Sequence, residues 1–170
     1  KGLKKNSLFG LNVKQEQDSI KAFSKKIKIG KKVSDPDFMI IARIESLILN
    51  KPVEDAYRRA SEYLNAGADG IMIHSKQKTP NEIFKFSNLF KKKFPNVPLV
   101  AVPSSYNKVK EKELIQNGFD IVIYANHLLR ASHPAMEKTV LSILKNKRSF
   151  EIDSELMSIK KILELIPGTK

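Results

Sequence analysis

What most constrains this chain is alternation. Four short apolar runs, Phe38 to Ala42, Ile71 to Ile73, Pro98 to Val102 and Ile121 to Tyr124, are each followed by a stretch whose apolar residues recur at helical spacing. Runs this short, bounded by turn residues, are buried strands, and strands that alternate with helices build a parallel sheet.

The helical stretches can be placed from their stripes and stops. Val13, Ile20, Phe23 and Ile27 predict a helix over Val13 to Ile29, ended by Gly30. The turn signal Ser34-Asp35-Pro36-Asp37 then opens the first strand, which Arg43 stops. Val53, Ala56, Tyr57, Ala60 and Leu64 share one face of a helix over Val53 to Ala66, with Pro52 near its start, where a missing N–H is harmless. Thr79-Pro80-Asn81-Glu82 is a capping-box pattern that opens a helix carrying Ile83, Phe84, Phe86, Leu89, Phe90 and Phe94. A helix over Lys110 to Asn117 precedes the fourth strand. Another runs from about Ser132 to Lys145, with Pro134 in its first turn and Val140, Leu141 and Leu144 turned inward. A last helix is expected from about Ser154 to Ile166, with Leu156, Ile159, Leu163 and Ile166 on one stripe. No linker or boundary interrupts residues 1 to 170, which read as a single domain.

The same unit recurs. Asn65-Ala66-Gly67-Ala68-Asp69 before the second strand resembles Asn117-Gly118-Phe119-Asp120 before the fourth, and the two glycines lie 51 positions apart. Two βα units of roughly 25 residues each span that distance. Four parallel strands with intervening helices suit either a small open sheet or half of a (β/α)8 barrel. A full barrel takes about 250 residues, so four units in 170 residues fit a half. A nucleotide-binding open sheet should carry a glycine-rich turn after its first strand, and Arg43-Ile44-Glu45-Ser46 has none.

Composition narrows the function classes. The absence of cysteine removes a disulfide framework, a thiolate metal site and a cysteine nucleophile at once, and suits a reducing compartment. No apolar run approaches the roughly 20 residues of a membrane span, and no secretory signal is visible, so a cytoplasmic protein is expected. A net charge of +13 raises nucleic acid as a partner. Only five basic residues are arginines, however, and the clusters Lys25-Lys26, Lys31-Lys32 and Lys91-Lys92-Lys93 suit solvated helix ends, so no nucleic-acid partner is expected.

Polar residues gather where the strands end. The first strand leads to Arg43-Ile44-Glu45, the second to His74-Ser75-Lys76, the third to Pro103-Ser104-Ser105 and the fourth to Ala125-Asn126-His127. Such ends carry the catalytic groups of barrels. Arg43 offers a planar fork for carboxylate or phosphate, His74 a titratable donor and Asn126 a neutral one, which together suit an anionic substrate. An Arg-x-Glu at a strand end is as often an internal ion pair, and a lone His is often a satisfied hydrogen-bond partner. His127 is a weaker candidate, and His133, placed before Pro134 at the expected helix start, suits a capping or surface role. No serine–histidine–aspartate pattern and no carboxylate cluster of metal-binding spacing is visible.

Several of these segments together resemble phosphoenolpyruvate mutase, a family of the isocitrate lyase superfamily. They are Lys4-Lys5-Asn6-Ser7-Leu8, Asp35-Pro36-Asp37-Phe38 leading to Ile41-Ala42-Arg43-Ile44-Glu45, Asn65-Ala66-Gly67-Ala68-Asp69 leading to His74-Ser75-Lys76, and Ala125-Asn126-His127 with Leu129-Arg130-Ala131. The resemblance implies the C-terminal half of a (β/α)8 barrel that interconverts phosphoenolpyruvate and phosphonopyruvate with Mg²⁺, at the entrance to phosphonate biosynthesis. The family's hallmark is Glu-Asp-Lys, five residues, then Asn-Ser, on a loop that covers the substrate. Lys1 to Lys5 fill the five positions and Asn6-Ser7 completes the motif, which would put Glu-Asp-Lys just ahead of Lys1. Leu3 stands where that loop commonly has proline.

By the same resemblance, Lys4 and Asn6 contact the migrating phosphoryl group, Ser7 and Leu8 close over the substrate, and Arg43 and His74 complete the anion pocket. The Mg²⁺ carboxylates of the family belong to the first half of the barrel, so no metal ligand is expected in this chain, and Glu45 is at most a helper behind them. Phosphonopyruvate hydrolases resemble the mutases but tend to carry threonine where Asn6 stands, so Asn6 points to the mutase. A hydrolase or carbon–carbon lyase of the superfamily is the second reading. A non-catalytic basic half-barrel is the third, against which the retention of Lys4, Asn6, Arg43 and His74 together argues. The family's tetramers, built from dimers that exchange a C-terminal helix, imply a homo-oligomer; a helix packed on its own barrel is the alternative.

Overall fold

In a computed structural model, which describes residues 16–166 and 168, the chain divides into two compact units, one ending at Ala125 and the other beginning at Asn126. The first unit holds α1 (Ile20–Val33), β1 (Ile41–Ile44), α2 (Val53–Asn65), β2 (Gly70–Ile73), α3 (Asn81–Lys93), β3 (Leu99–Ala101), α4 (Glu111–Gln116) and β4 (Ile121–Val122). The four strands form one parallel sheet in the order β1-β2-β3-β4, the arrangement expected of half of a (β/α)8 barrel.

Register fixes the two faces of that sheet. Ala42, Ile44, Ile71, Ile73, Leu99 and Ala101 are buried and join a core with Ala56, Ala60, Ile83, Phe86 and Phe90 of the helices. The opposite face carries one row straight across the sheet, Arg43 beside Met72, Met72 beside Val100 and Val100 beside Ile121. Alternation thus turns Arg43 away from the helices, and two residues beyond Met72 it puts His74 on the same side.

Element boundaries depart from the sequence expectations in ways that packing explains. The first helix begins at Ile20, where the Ser19 side chain accepts from the Ala22 N–H at 3.1 Å, and residues 16–19 before it are not helical. It runs past Gly30 to Val33, because Gly30 is a close-packing position: a Cβ there would sit 3.0 Å from Ile40 Cδ1. The first strand starts three residues later than expected. Phe38 belongs to the turn, its N–H donating to the Asp35 carbonyl at 3.0 Å, so that Arg43 lies within β1 instead of stopping it. Thr79 to Glu82 form no capping box. Pro80 itself occupies the cap position without a side-chain bond, and the Glu82 carboxylate accepts the Ser75 hydroxyl instead. The fourth strand pairs over two residues only.

The recurring glycine–aspartate unit has one structural meaning in both places. Asp69 accepts the Ile40 N–H at 2.7 Å and a Lys31 ammonium at 3.0 Å, while Asp120 accepts the Leu99 N–H at 2.8 Å and Lys91 at 2.7 Å. Each aspartate therefore ties the start of its own strand to the start of the previous one and to the helix before that. Gly67 and Gly118, at φ +102° and +78°, make the left-handed turns that such an approach requires, with Lys31 Cγ and Lys91 Cγ where a side chain would go.

The second unit contains α5 (His127–Asn146), α6 (Phe150–Asp153) and α7 (Ile159–Glu164). Helix α5 starts five residues before the expected Ser132, so Pro134 lies inside it and His133 is not at its start. Val140, Leu141 and Leu144 are exposed and not inward. The helix expected from Ser154 to Ile166 is shortened to α7: Leu156 lies in the connection between α6 and α7, and the Ser158 hydroxyl caps α7 by accepting from the Lys161 N–H. Among the described residues no helix is long and apolar enough to cross a membrane.

Candidate functional site

The residues that the sequence proposes for chemistry separate into two groups. Lys4, Asn6, Ser7 and Leu8 lie outside the described residues. Arg43 and His74 are brought together, with Arg43 Nη2 2.6 Å from His74 Nδ1. Adjacent parallel strands make this meeting possible, since Arg43 stands beside Met72 and His74 follows two residues further along the same face.

The chemistry of the pair follows from the guanidinium, which has protons to give and no lone pair to accept with. His74 Nδ1 must therefore be the acceptor, and the ring's own proton sits on Nε2. That Nε2 is buried and has no hydrogen-bond partner among the described residues. A buried donor without an acceptor costs about 1–3 kcal/mol, and such a group marks a place where a ligand oxygen can sit. Burial, and after it the Arg43 charge, pushes the His74 pKa down to about 4, so the ring is neutral at physiological pH and donates without carrying charge.

Arg43 has a second partner. Its Nη2 lies 2.5 Å from Glu45 Oε1, and its side chain keeps 42% of its surface open. Arg43 and Glu45 line a pocket of about 310 Å³ whose other walls come from Glu16, Gln17, Asp18, Phe23, Leu49, Arg59 and Tyr63. His74 is not among the lining residues, and Arg43 links it to the pocket. Ser75, fully buried, donates to Glu82 and accepts the Gln77 N–H at 3.0 Å, which holds the turn after His74. At this strand end sit a cationic fork, a neutral N–H donor and one carboxylate that balances the fork. The set suits an anion with several oxygens.

It does not suit a divalent cation. Among the described residues no group of three or more histidine, aspartate and glutamate side chains lies close enough to hold a metal ion, and Glu45 is engaged by Arg43. Asn126 takes a left-handed conformation, φ 55°, at the start of α5, and His127 is the first residue of that helix, both in the second unit.

One cluster escapes the sequence reading altogether. Ser46, Asp55, Arg59 and Tyr63 are joined by hydrogen bonds beside the pocket. The spacing of Asp55 and Arg59, four apart on the polar flank of an otherwise apolar helix face, is the signal that was there to find.

Three comparisons bear on this geometry. The family model described as phosphoenolpyruvate phosphomutase matches residues 4–144. A phosphonopyruvate hydrolase of Variovorax sp. (strain Pal2) is 40% identical over 154 residues, which is 89% of this chain and 52% of that protein. A phosphoenolpyruvate phosphomutase of Tetrahymena pyriformis is 36% identical over 163 residues, 95% of this chain and 53% of that protein. The crystal structure of the phosphoenolpyruvate phosphomutase from Streptomyces platensis subsp. rosaceus superimposes with a TM-score of 0.82 at 35% identity, covering 94% of this chain and 54% of that one. The chain spans about half the length of the curated relatives it matches.

Proposed function

Because this chain belongs to the phosphoenolpyruvate phosphomutase family, we propose that it forms the anion-binding half of an enzyme that interconverts phosphoenolpyruvate and phosphonopyruvate. The observation that carries this reading is the Arg43–His74 pair, whose Nε2–H has no partner among the described residues, a charged fork and a neutral donor on one side of the sheet. In the forward sense the bond between phosphorus and the enol oxygen breaks and its electron pair stays on oxygen. The methylene carbon of the resulting enolate then bonds to phosphorus. No proton is gained or lost, so positioning and charge stabilisation suffice, and general acid–base groups are not required. Arg43 holds the oxygens of the transferring group, and His74, neutral, donates without competing for a proton.

Lys4 and Asn6 are assigned to the same phosphoryl group, and Ser7 and Leu8 to the cover that keeps water from intercepting it. Mg²⁺, when bound, supplies further neutralisation of the oxygens. Among the described residues no group of three or more histidine, aspartate and glutamate side chains could hold it. The reading includes assembly with further copies of the chain through the C-terminal helix, a role supported by the exposure of Ile159, Leu163 and Ile166. The compartment proposed is the cytoplasm.

One observation favours a second reading. The hydrolase relative is 40% identical and the mutase relative 36%, so cleavage of the carbon–phosphorus bond by water, giving pyruvate and phosphate, is the competing outcome. Asn6 supports the mutase. Phosphorus NMR of phosphonopyruvate with Mg²⁺ and the protein expressed from its full reading frame separates them. A phosphate-ester signal at the position of phosphoenolpyruvate, abolished by Asn6→Ala, establishes the mutase, inorganic phosphate establishes the hydrolase, and an unchanged phosphonate signal overturns both.

A further inference from the structure

A polar cluster stands behind Arg43 and Glu45 that the phosphoryl-binding reading leaves unused. The Ser46 hydroxyl, fully buried, accepts from Gln17 Nε2 at 3.2 Å and donates to Asp55 Oδ2 at 2.8 Å. The same Asp55 oxygen accepts Arg59 Nε at 3.0 Å. Arg59, only 6% exposed, gives Nη1 to the Asp18 carbonyl at 2.9 Å and to the Tyr63 hydroxyl at 3.0 Å. Three stretches remote in sequence meet here through side chains: residues 17–18 ahead of α1, the turn after β1, and α2.

Taking a guanidinium and a carboxylate out of water costs free energy that apolar side chains of equal size would not. What the ions add is direction, because each bond fixes an angle as well as a distance. Both ends of the cluster reach the same pocket. Gln17, Asp18, Arg59 and Tyr63 line it together with Arg43 and Glu45, and Ser46 is next in the chain to Glu45.

We propose that Ser46 and Arg59 are positioning residues for this pocket: Arg59 clamps the wall formed by residues 17–18, and Ser46 holds the backbone that aims Glu45 at Arg43. The proposal rests on the reading of Arg43 as an anion-binding residue, and its clamp is also measurable without any activity.

The test uses Arg59→Lys, Arg59→Met and Ser46→Ala in the protein from the full reading frame. Lysine keeps the charge and reaches one of three partners, whereas methionine keeps only the bulk and guards against a variant that fails to fold being mistaken for the effect. For Arg59→Lys, KM for phosphonopyruvate is expected to rise about tenfold with kcat changed less than about threefold, since a displaced wall weakens capture more than chemistry. For Arg59→Met the rise is larger at unchanged circular dichroism. In Ser46→Ala, where Glu45 and Arg43 are loosened, kcat is expected to fall as well. Independently, cleavage after Glu16 by a glutamate-specific protease is expected to accelerate about tenfold in both Arg59 variants while cleavage after Glu151 stays constant, as freeing an anchored backbone predicts.

Unchanged cleavage after Glu16 overturns the clamp. Faster cleavage with unchanged KM overturns its role in the pocket and leaves a purely structural tie. If the unmodified protein converts neither phosphoenolpyruvate nor phosphonopyruvate, the proposed function fails, and the protease result alone then upholds or overturns the clamp.

Discussion

Arg43 and His74 meet at 2.6 Å through Nη2 and Nδ1, and since arginine only donates, the contact fixes which nitrogen of the ring carries its proton. Replacing Arg43 by lysine keeps the charge and loses the planar fork. The expected result is a fall in kcat/KM of about 100-fold or more, the range found when one preorganised donor is removed from a charged transition state. Steady-state kinetics beside a denaturation curve checks it, with stability changed little because the Arg43 side chain is partly open to solvent.

The same contact predicts how stability depends on pH. His74 titrates near 6.5 when unfolded and near 4 when folded, with burial the main cause and the Arg43 charge the second. The unfolded chain takes up the proton first as pH falls, so the contribution is complete above about pH 6.5 and is lost between there and about pH 4. Over that window the loss is of order 3 kcal/mol. Urea midpoints measured from pH 7 down to pH 4.5 should fall in the parent protein and show a shallower slope in His74→Gln.

Asp69 and Asp120 are expected to act as equivalent, independent ties. The Ile40 N–H in the first place holds the Asp69 carboxyl below the usual carboxylate range; burial opposes it, and Lys31 adds to the lowering. Asp69→Ala and Asp120→Ala each leave a strand-initiating N–H, that of Ile40 or Leu99, without its acceptor. Each should cost about 1–3 kcal/mol, and the double variant should show the sum, because the two sites share no partner. Chemical denaturation of the three variants checks both statements.

Among the glycines of the described residues, Gly70 is the one where an added methyl group meets its neighbours most closely. A Cβ there would lie 2.7 Å from Ile41 Cδ1 and 2.9 Å from the Pro98 carbonyl oxygen, and the second of these is backbone. Gly70→Ala must therefore push β2 away from the residue before β3, where the Ile71 N–H donates to that same carbonyl at 3.0 Å. A loss of about 2 kcal/mol or more is expected, read as a lowered Tm.

How far the sequence announced this molecule depends on the range of the interaction that decides each feature. Strand and helix order was legible because burial writes a period of two or of 3.6 into neighbouring residues, and the two glycine–aspartate units were legible because both copies use the same residues. The start of β1 was not. Phe38 and Met39 continue the apolar run of Ile40 and Ile41, yet the Asp35 turn claims Phe38 and pairing with Gly70 begins only at Ile41. Glu82 has the spacing of a capping residue and is taken by Ser75 instead. Arg43 and His74 stood out as polar residues ending apolar runs. Arg59 did not, since what it holds, the Asp18 carbonyl, lies 41 positions away and leaves no mark on its neighbours.

The strand order β1-β2-β3-β4 has a consequence for how the sheet comes into being. Each of β2, β3 and β4 finds its partner in the strand completed just before it, with paired residues separated by 29, 28 and 21 positions. Loop-closure entropy grows only with the logarithm of length, so each addition meets nearly the same barrier as the last. A chain leaving the ribosome can accordingly assemble this sheet vectorially. None of β2, β3 and β4 waits for sequence not yet synthesised, and at each stage the newest strand leaves an edge for the next to occupy.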